Sequence, residues 1–452
     1  MKKYITTIIF LLLSYYTLVH GQISTHEKPE SFKKNIPNLI NNERTQKRLP
    51  SLDMKKIEQE DNEDEANGMP PRFGIRQKVD YNLDNSGEWD TLSNGDRIWR
   101  LSISCPEALS INILYDKFWI PDNTKFFIYS NDHKYSIGAI TSKNNKGDKN
   151  NPQGFATGLV YGDEITLEYY LPSEVEDTGI ISIAYVVHGY KYINVIEGQM
   201  VESQYGGSGN CQVNVNCSEG QNWQSEKNAV AMIIMDGSYI CTGSLINTTT
   251  NDNRLLFLTA NHCLVNGKDA INAPNLSQWT FYWQYESQEC TNTSPSTIYS
   301  TVGATVVANN AVSDFALLRL TENPLNATGV TPYYLGWDRT GNSGIGGVGI
   351  HHPSGDIKKI ATYSGTPVNS SCMNNYFWQT GFIQTPNGYS VMEPGSSGSP
   401  LINSNHKVIG QLYGPGTYMP PHYSPLFLIS RTKFVGKTSE IICFPQQMFV
   451  SY

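Results

Sequence analysis

Three short motifs in the second half of the chain contain residues that could together carry out hydrolysis. His262 follows an apolar run, Asp314 begins another, and Ser397 lies among glycines ahead of a third. Taken singly, each has an ordinary explanation: a hydrogen-bonded histidine, an aspartate that ends a turn, and a serine in a loop. Together they supply a nucleophile, a base for its proton and a carboxylate that orients the base. Backbone N–H groups of the glycine-rich loop could stabilise an oxyanion.

The order of these residues along the chain restricts the architecture. Histidine comes first, aspartate second and serine last. This order is typical of double β-barrel serine proteases, whereas the subtilisin and α/β-hydrolase arrangements use other orders. The motifs therefore predict a hydrolase whose catalytic groups are brought together by strands.

The segments that must position these residues are short, apolar and separated by turns. Little in this part of the chain indicates more than brief helix. The pattern predicts an all-β barrel or sandwich pair. The expected strands are 229–235, 239–245, 255–259, 279–283, 301–307 and 316–320.

A second β-rich region precedes the motifs. Strand-length runs bounded by Gly, Pro and Asn turns indicate a β-sandwich over residues 72–205. No catalytic constellation occurs there. We interpret the region as a pro-domain that guards the second half of the chain or helps it to fold, and an independent binding module is the alternative. The expected strands are 96–104, 111–119, 125–130, 164–170 and 180–187.

The N-terminus indicates export. Two lysines, an apolar run and small residues up to Gly21 predict a signal peptide over residues 1–21, and the run is too short for a membrane span. Residues 22–71 are polar and charged and predict a solvated linker or a transient helix. We therefore expect a secreted protein, extracellular or periplasmic, in which disulfides are permitted.

Charge and cysteine spacing exclude several other classes. The chain has 452 residues, with 33 Lys plus Arg against 41 Asp plus Glu, and a formal charge of −8. An acidic excess does not attract phosphates, so we expect no nucleic-acid partner. Neither Cys-x-x-Cys nor His-Glu-x-x-His spacing occurs, and the sequence predicts no metal and no cofactor.

Several uncommon strings resemble one family. Over about residues 206–416 the chain is similar to bacterial lysyl endopeptidases, a secreted branch of the trypsin-like serine proteases. The resemblance implies two packed six-stranded barrels with the active site in the cleft between them. Region 72–200 is similar, more weakly, to β-rich pro-regions of such enzymes. The strings are Cys241 to Leu245, Thr259 to Cys263, Ser313 to Phe315, Gly336 to Asp338, Ile350 to Pro353, Glu393 to Pro400 and Val408 to Leu412.

The resemblance assigns a role to each motif residue. It implies Ser397 as the nucleophile, His262 as the general base and then acid, and Asp314 as the carboxylate that holds the imidazole. The backbone N–H groups of Gly395 and Ser397 would form the oxyanion hole. Ser396 stands where mammalian trypsins carry an aspartate that pairs with a new N-terminal ammonium, so activation should act through release of the pro-region.

The resemblance also implies two disulfides. Cys241 would bridge to Cys263 and brace the strand end that carries the histidine, and Cys217 would bridge to Cys290. The remaining four cysteines are left without an assigned partner. The region after residue 206 contains an odd number of cysteines, so at least one thiol is expected to be free there or paired between chains. The unassigned residues are Cys105, Cys211, Cys372 and Cys443.

The C-terminal tail, residues 417–452, departs from the family pattern. A lysine side chain buried in a pocket requires a carboxylate partner, and the only acid after the serine motif is Glu440. Val391, near the expected pocket floor, is apolar. The expectation is a monomeric secreted endopeptidase that cuts proteins or peptides after Lys. The alternative is a protease-like protein with relaxed specificity or little activity, serving as a binding or structural module.

Overall fold

The computed structural model describes most of the chain between residues 27 and 413. The predicted signal peptide, residues 1–21, lies outside the described residues. Among the helices that are described, none is both long and apolar enough to cross a membrane. The described residues are 27–34, 36, 42–66, 69–193, 208–264, 275–293, 299–326, 331–369 and 377–413, with three short strands at 427–430, 433–434 and 443–444.

The first half of the chain forms a β-sandwich. A six-stranded sheet and a five-stranded sheet each contribute large apolar side chains to one core, for example Trp99 and Leu101 from one and Tyr115 and Val187 from the other. The expected strands all occur, with ends shifted by at most two residues. Strands β1 to β13 are Gln46–Arg48, Gly74–Asn82, Glu88–Thr91, Arg97–Ser104, Ser110–Trp119, Lys125–Ser130, Ser136–Ile140, Gly147–Asp148, Asn151–Pro152, Phe155–Ala156, Val160–Tyr161, Glu164–Leu171 and Ile180–Gly189.

Part of the predicted polar linker is folded against this sandwich. Strand β1 pairs in parallel with β4, so that Gln46 lies opposite Ser102, and Leu49 is buried in the sandwich core. Two helices occur in the same stretch, α1 (Glu30–Lys33) and α2 (Met54–Ala66). The segment is therefore more structured than its composition predicts.

The second half of the chain is also built of strands. Its seven-stranded sheet has the order β18-β17-β14-β15-β16-β20-β19, and its five-stranded sheet has the order β21-β27-β26-β22-β23. The two sheets contribute to one cluster of buried apolar side chains, and the architecture is all-β as predicted. Strands β14 to β27 are Val230–Met235, Tyr239–Ile246, Leu256–Ala260, Thr280–Trp283, Tyr299–Val302, Ala304–Asn310, Phe315–Leu320, Gly336–Trp337, Gly347–His351, Lys359–Tyr363, Val368–Asn369, Phe377–Thr380, Pro400–Asn403 and Lys407–Gln411.

The strand counts differ from the two sets of six that the resemblance implied. The expected strand 301–307 is split into β18 and β19, because Gly303 between them has a φ of +91° and cannot continue a pleated ladder. The extra strand makes the first sheet seven-stranded. In the second sheet five strands pair, and β24, β25 and a tail strand, β28 (Phe427–Ser430), form a separate three-stranded sheet.

Polar contacts join the two halves of the chain. The Gln278 side-chain amide donates to the main-chain oxygen of Tyr115 at 2.8 Å. Lys146 of the sandwich forms an ion pair with Glu322, whose side chain is almost fully buried. The N-terminal region is therefore packed on the second half, and the exact domain boundaries stay predictions.

Candidate active site

Strand pairing brings His262 and Asp314 together. Strand β16 ends at Ala260, which pairs with Phe315 at the start of β20 in an antiparallel ladder. The residues just beyond this pair, one step after β16 and one step before β20, must then be neighbours. The main-chain N–H of Asn261 donates to the main-chain oxygen of Asp314 at 2.8 Å, which continues the ladder into the site.

The Asp314 carboxylate holds His262 at two points. Oδ1 accepts the histidine main-chain N–H at 2.7 Å, and Oδ2 lies 2.7 Å from the ring Nδ1. Asp314 is only 2% exposed. Burial raises the pKa of the Asp314 carboxyl, and the bonds from His262 act in the opposite direction. A carboxylate in this position fixes the imidazole ring and its tautomer.

The loop that carries Ser397 is anchored to the first sheet. The Thr242 main-chain N–H donates to the Ser397 oxygen at 2.8 Å. Gly398 has a φ of +85°, and a Cβ there would lie 2.3 Å from the Thr242 oxygen, so this contact requires glycine. Strand β26 follows the loop in the second sheet. The serine therefore lies where the two sheets meet.

The structure brings the three motif residues into one region. The Cys263 sulfur, next to the histidine, lies 3.9 Å from the Ser397 main-chain oxygen. Within the described residues, no hydrogen bond joins the Ser397 hydroxyl to the ring Nε2 of His262. This Nε2 has no hydrogen-bond partner there. Hydrogen bonds between catalytic groups are often long without substrate and tighten when it binds.

The turn before Ser397 presents two backbone donors. Gly395 has a φ of +93°, and a Cβ there would lie 3.1 Å from the His352 main-chain oxygen. Thr242 fixes this peptide by donating its hydroxyl to the Gly395 oxygen at 2.8 Å. Within the described part of the chain, the N–H groups of Gly395 and Ser397 donate to no protein acceptor. Donors left unpaired in a fixed turn can bind an oxyanion.

Both expected disulfides are present. Cys241 bridges to Cys263 with a Cα–Cα distance of 6.4 Å, and Cys217 bridges to Cys290 with one of 4.3 Å. The first bridge ties β15 to the turn that carries the histidine. Cys105 is free and buried, and Cys211 is free and exposed. The side chains of the two remaining cysteines lie outside the described residues.

One group of side chains has the residue types of a metal site. The ligand atoms of Cys241, His262 and Cys263 lie within 4.8 Å of one another. The two sulfurs are bonded to each other in the disulfide, so neither offers a thiolate to a metal. The disulfide therefore braces the turn that carries the histidine, and the group has no donor set for zinc.

Sequence reasoning missed several residues that contact the site. Gln411 donates its side-chain amide to the Asp314 main-chain oxygen at 2.7 Å, and the Tyr413 ring lies 5.5 Å from the His262 ring in an edge-to-face arrangement. Thr242 fixes two carbonyls of the serine loop. The motifs containing Thr242 and Gln411 were recognisable, but nothing in their spacing indicated these contacts.

Two residues were considered for substrate selection, Val391 and Glu393. The first lies in apolar surroundings, and the carboxylate of the second is already engaged in hydrogen bonds. Val391 packs against an apolar cluster that includes Phe382 and Met392. The Glu393 carboxylate accepts the Gly209 N–H at 2.9 Å, the Gln212 amide at 2.7 Å and the Ser354 hydroxyl at 3.0 Å. This carboxylate is therefore engaged in bracing the serine loop.

Comparison with known proteins supports the family that the motifs indicated. Residues 205–418 match the family model described as lysyl endopeptidase, C-terminal domain. A curated lysyl endopeptidase of Pseudomonas aeruginosa is 29% identical over 278 residues, which cover 58% of this chain and 56% of that protein. The chain thus spans about half the length of this curated relative. Both matches support the bacterial lysyl endopeptidase family, so the resemblance is confirmed.

Solved protease structures also share some likeness with the chain. A serine endoprotease from Yersinia pestis is 17% identical, with a TM-score of 0.29, and the match covers 43% of this chain and 56% of that chain. A Glu endopeptidase in complex with MPD is 19% identical, with a TM-score of 0.28, over 42% of this chain and 80% of that one. Scores this low carry no structural argument, and the all-β assignment follows from the strand pairing.

Proposed function

Taking residues 205–418 as a domain of the lysyl endopeptidase family, we propose that the chain is a serine endopeptidase. The single observation that carries the proposal is the double attachment of His262 to the buried Asp314 beside the serine loop. A surface histidine has no need of such an arrangement, whereas a general base requires a fixed ring and tautomer.

Each residue has a defined part in the proposed reaction. Ser397 Oγ attacks the carbonyl carbon of the peptide bond while His262 Nε2 takes the hydroxyl proton. The carbonyl oxygen becomes an oxyanion and accepts the Gly395 and Ser397 N–H groups. The imidazolium returns its proton to the leaving amine, and water then hydrolyses the acyl-enzyme by the same route.

Labelling and hydrolysis together test this proposal. The secreted protein should react covalently with a fluorophosphonate and cleave denatured casein. Ser397→Ala should abolish labelling and lower hydrolysis by on the order of 10⁴-fold or more. Ser404→Ala, on an exposed turn away from the site, is the matched control and should behave like the parent. Undiminished hydrolysis by Ser397→Ala would refute the proposal.

The proposed cleavage preference is for Lys, by family. Relaxed or apolar preference is the second candidate, because Val391 lies in apolar surroundings and the Glu393 carboxylate is already engaged by three donors. A cation buried without its partner costs several kcal/mol, which is enough to remove a thousandfold preference. Mass spectrometry of peptides cut from a denatured protein distinguishes them. Cuts chiefly after Leu, Phe or Tyr would overturn the preference for Lys.

We also propose that the N-terminal region acts as a pro-region. Phe73 donates its N–H to the Ser238 oxygen at 2.9 Å, and Ile240 donates to the Pro71 oxygen at 3.0 Å. This pairing adds a strand segment beside Cys241 and the site. Helix α2 lies on the same side, across a cavity of about 980 Å³ that is also lined by Ser354, Glu393 and Pro394.

Processing decides the pro-region proposal. Removal of residues 22 to about 205 should raise activity, since it clears the strand edge at 238–240. The residue before Gly206 is Tyr205, so an enzyme strictly specific for Lys could not cut itself there. N-terminal sequencing of the active product is the measurement. A mature N-terminus far from Gly206, or full activity in the uncut chain, would contradict the proposal.

A further inference from the structure

A second histidine, His351, contacts the serine loop. His351 ends strand β22 and is fully buried. Its Nδ1 lies 2.8 Å from the hydroxyl of Ser396, the residue just before the proposed nucleophile. The proposed reaction makes no use of either side chain. A buried polar pair directly behind a catalytic turn calls for its own explanation.

The Ser396 hydroxyl makes two polar contacts. It accepts the Glu393 main-chain N–H at 3.2 Å in addition to its contact with His351. The Ser396 N–H donates in return to the Glu393 oxygen at 3.0 Å. The turn 393–396 is thus closed by one main-chain hydrogen bond and one hydrogen bond to the Ser396 side chain, and that side chain is fixed to a strand of the second sheet.

The contact acts on the peptides that carry the oxyanion donors. Gly395 precedes Ser396 and Ser397 follows it, so the orientation of the Ser396 side chain constrains the peptide planes on both sides. A donor displaced by an ångström loses most of its effect on a developing charge. Holding Ser396 therefore holds the two N–H groups.

Building on the proposed function, we propose that His351 and Ser396 are positioning residues that hold the oxyanion turn in its active form through an uncharged hydrogen bond. The imidazole is kept neutral by its surroundings. Burial, together with the positive charge of Lys359, which pairs with His351 across β22 and β23, lowers the pKa of His351 to about 3. The turn therefore needs no ion pair with a new N-terminus, and it is already formed in a structure that retains the N-terminal region.

Transition-state binding separates positioning from general stability. The variants are Ser396→Ala, His351→Leu and the double substitution, each assayed after purification of the folded fraction. Each single variant should lower kcat by about 10- to 100-fold with KM within about twofold. Affinity for a peptide boronic acid, whose adduct with serine is tetrahedral, should fall by the same factor as kcat/KM. The double variant should lose no more kcat than the less active single variant, since both substitutions remove the same contact.

A conservative variant and a matched control complete the experiment. His351→Gln keeps a hydrogen-bonding side chain and should recover most of the lost kcat. Ser343→Ala removes another buried serine hydroxyl, one that donates to the main-chain oxygen of Pro367 at 2.9 Å, and should leave the boronate affinity unchanged. Variants that lose thermal stability but keep parental kcat and boronate affinity would overturn the positioning role. A parent protein that neither labels with fluorophosphonate nor hydrolyses casein would overturn the proposed function and this inference with it.

Discussion

Asp314 contacts His262 through both of its carboxylate oxygens, one bonded to the main chain and the other to the ring. Each distance is 2.7 Å. The main-chain bond fixes where the ring is attached, and the ring bond fixes how it is turned. In the proposed reaction, the ring Nε2 is then the nitrogen that receives a proton from Ser397.

The first prediction concerns this contact. Asp314→Asn keeps the shape of the side chain but presents an N–H₂ group to Nδ1, which favours the tautomer that protonates Nε2. A ring protonated at Nε2 cannot accept the serine proton, so kcat should fall by on the order of 10⁴-fold. Steady-state hydrolysis of a peptide amide is the measurement. Asp252→Asn, in an exposed loop, is the control, and a loss of less than tenfold in Asp314→Asn would contradict the role.

Much of the fold could be predicted because the buried strands consist largely of apolar residues. The run from Val230 to Met235 is buried at every residue, and such apolar runs bounded by turns reveal a strand without any knowledge of its partners. Strand β1 could not be found in this way. It is short and polar, and it exists because Ser102 and its neighbours offer a free edge far away in sequence.

The candidate site divides in a similar way. Residue type and chain order indicated His262, Asp314 and Ser397, because the chemistry needs those three groups. The contact between His351 and Ser396 was not predictable, since it depends on how far strand β22 extends beneath the serine turn. Residues that act only through their position in the fold cannot be identified from the composition of the sequence or the spacing of its motifs.

The second prediction concerns the bridge beside the histidine. Replacing Cys241 and Cys263 together by Ala opens a loop of 22 residues, which should lower the free energy of unfolding by on the order of 3 kcal/mol. Activity should fall as well, because the bridge ties the His262 turn to β15. Urea unfolding of parent and variant gives the first quantity. A double variant as stable as the parent would show that the bridge adds no constraint.

The third prediction concerns the lowered pKa of His351. Between pH 6.5, where an unfolded histidine titrates, and about 3, its value in the fold, only the unfolded chain binds the proton. Acidification through this window therefore removes stability, by on the order of 1 kcal/mol per pH unit for this group. His351→Gln lacks that loss, so its stability deficit relative to the parent should shrink from pH 7 to pH 4. Urea unfolding curves with a constant difference would contradict the prediction.

The last prediction concerns the ion pair between the sandwich and the second half of the chain. Glu322 has a side chain that is 1% exposed, and it pairs with Lys146 and also accepts the Val302 N–H at 2.7 Å. Lys146→Met leaves a buried carboxylate without its cation, which typically costs about 3–5 kcal/mol. Burial already raises the pKa of Glu322, so the cost should diminish in acid, where the carboxyl takes up a proton. Lys149→Met, which removes a more exposed ion pair with Asp177, is the matched control and should change stability by less than about 1 kcal/mol. Thermal unfolding at pH 7 and pH 5 measures both, and equal losses in the two variants would show that the buried pair does not hold the halves together.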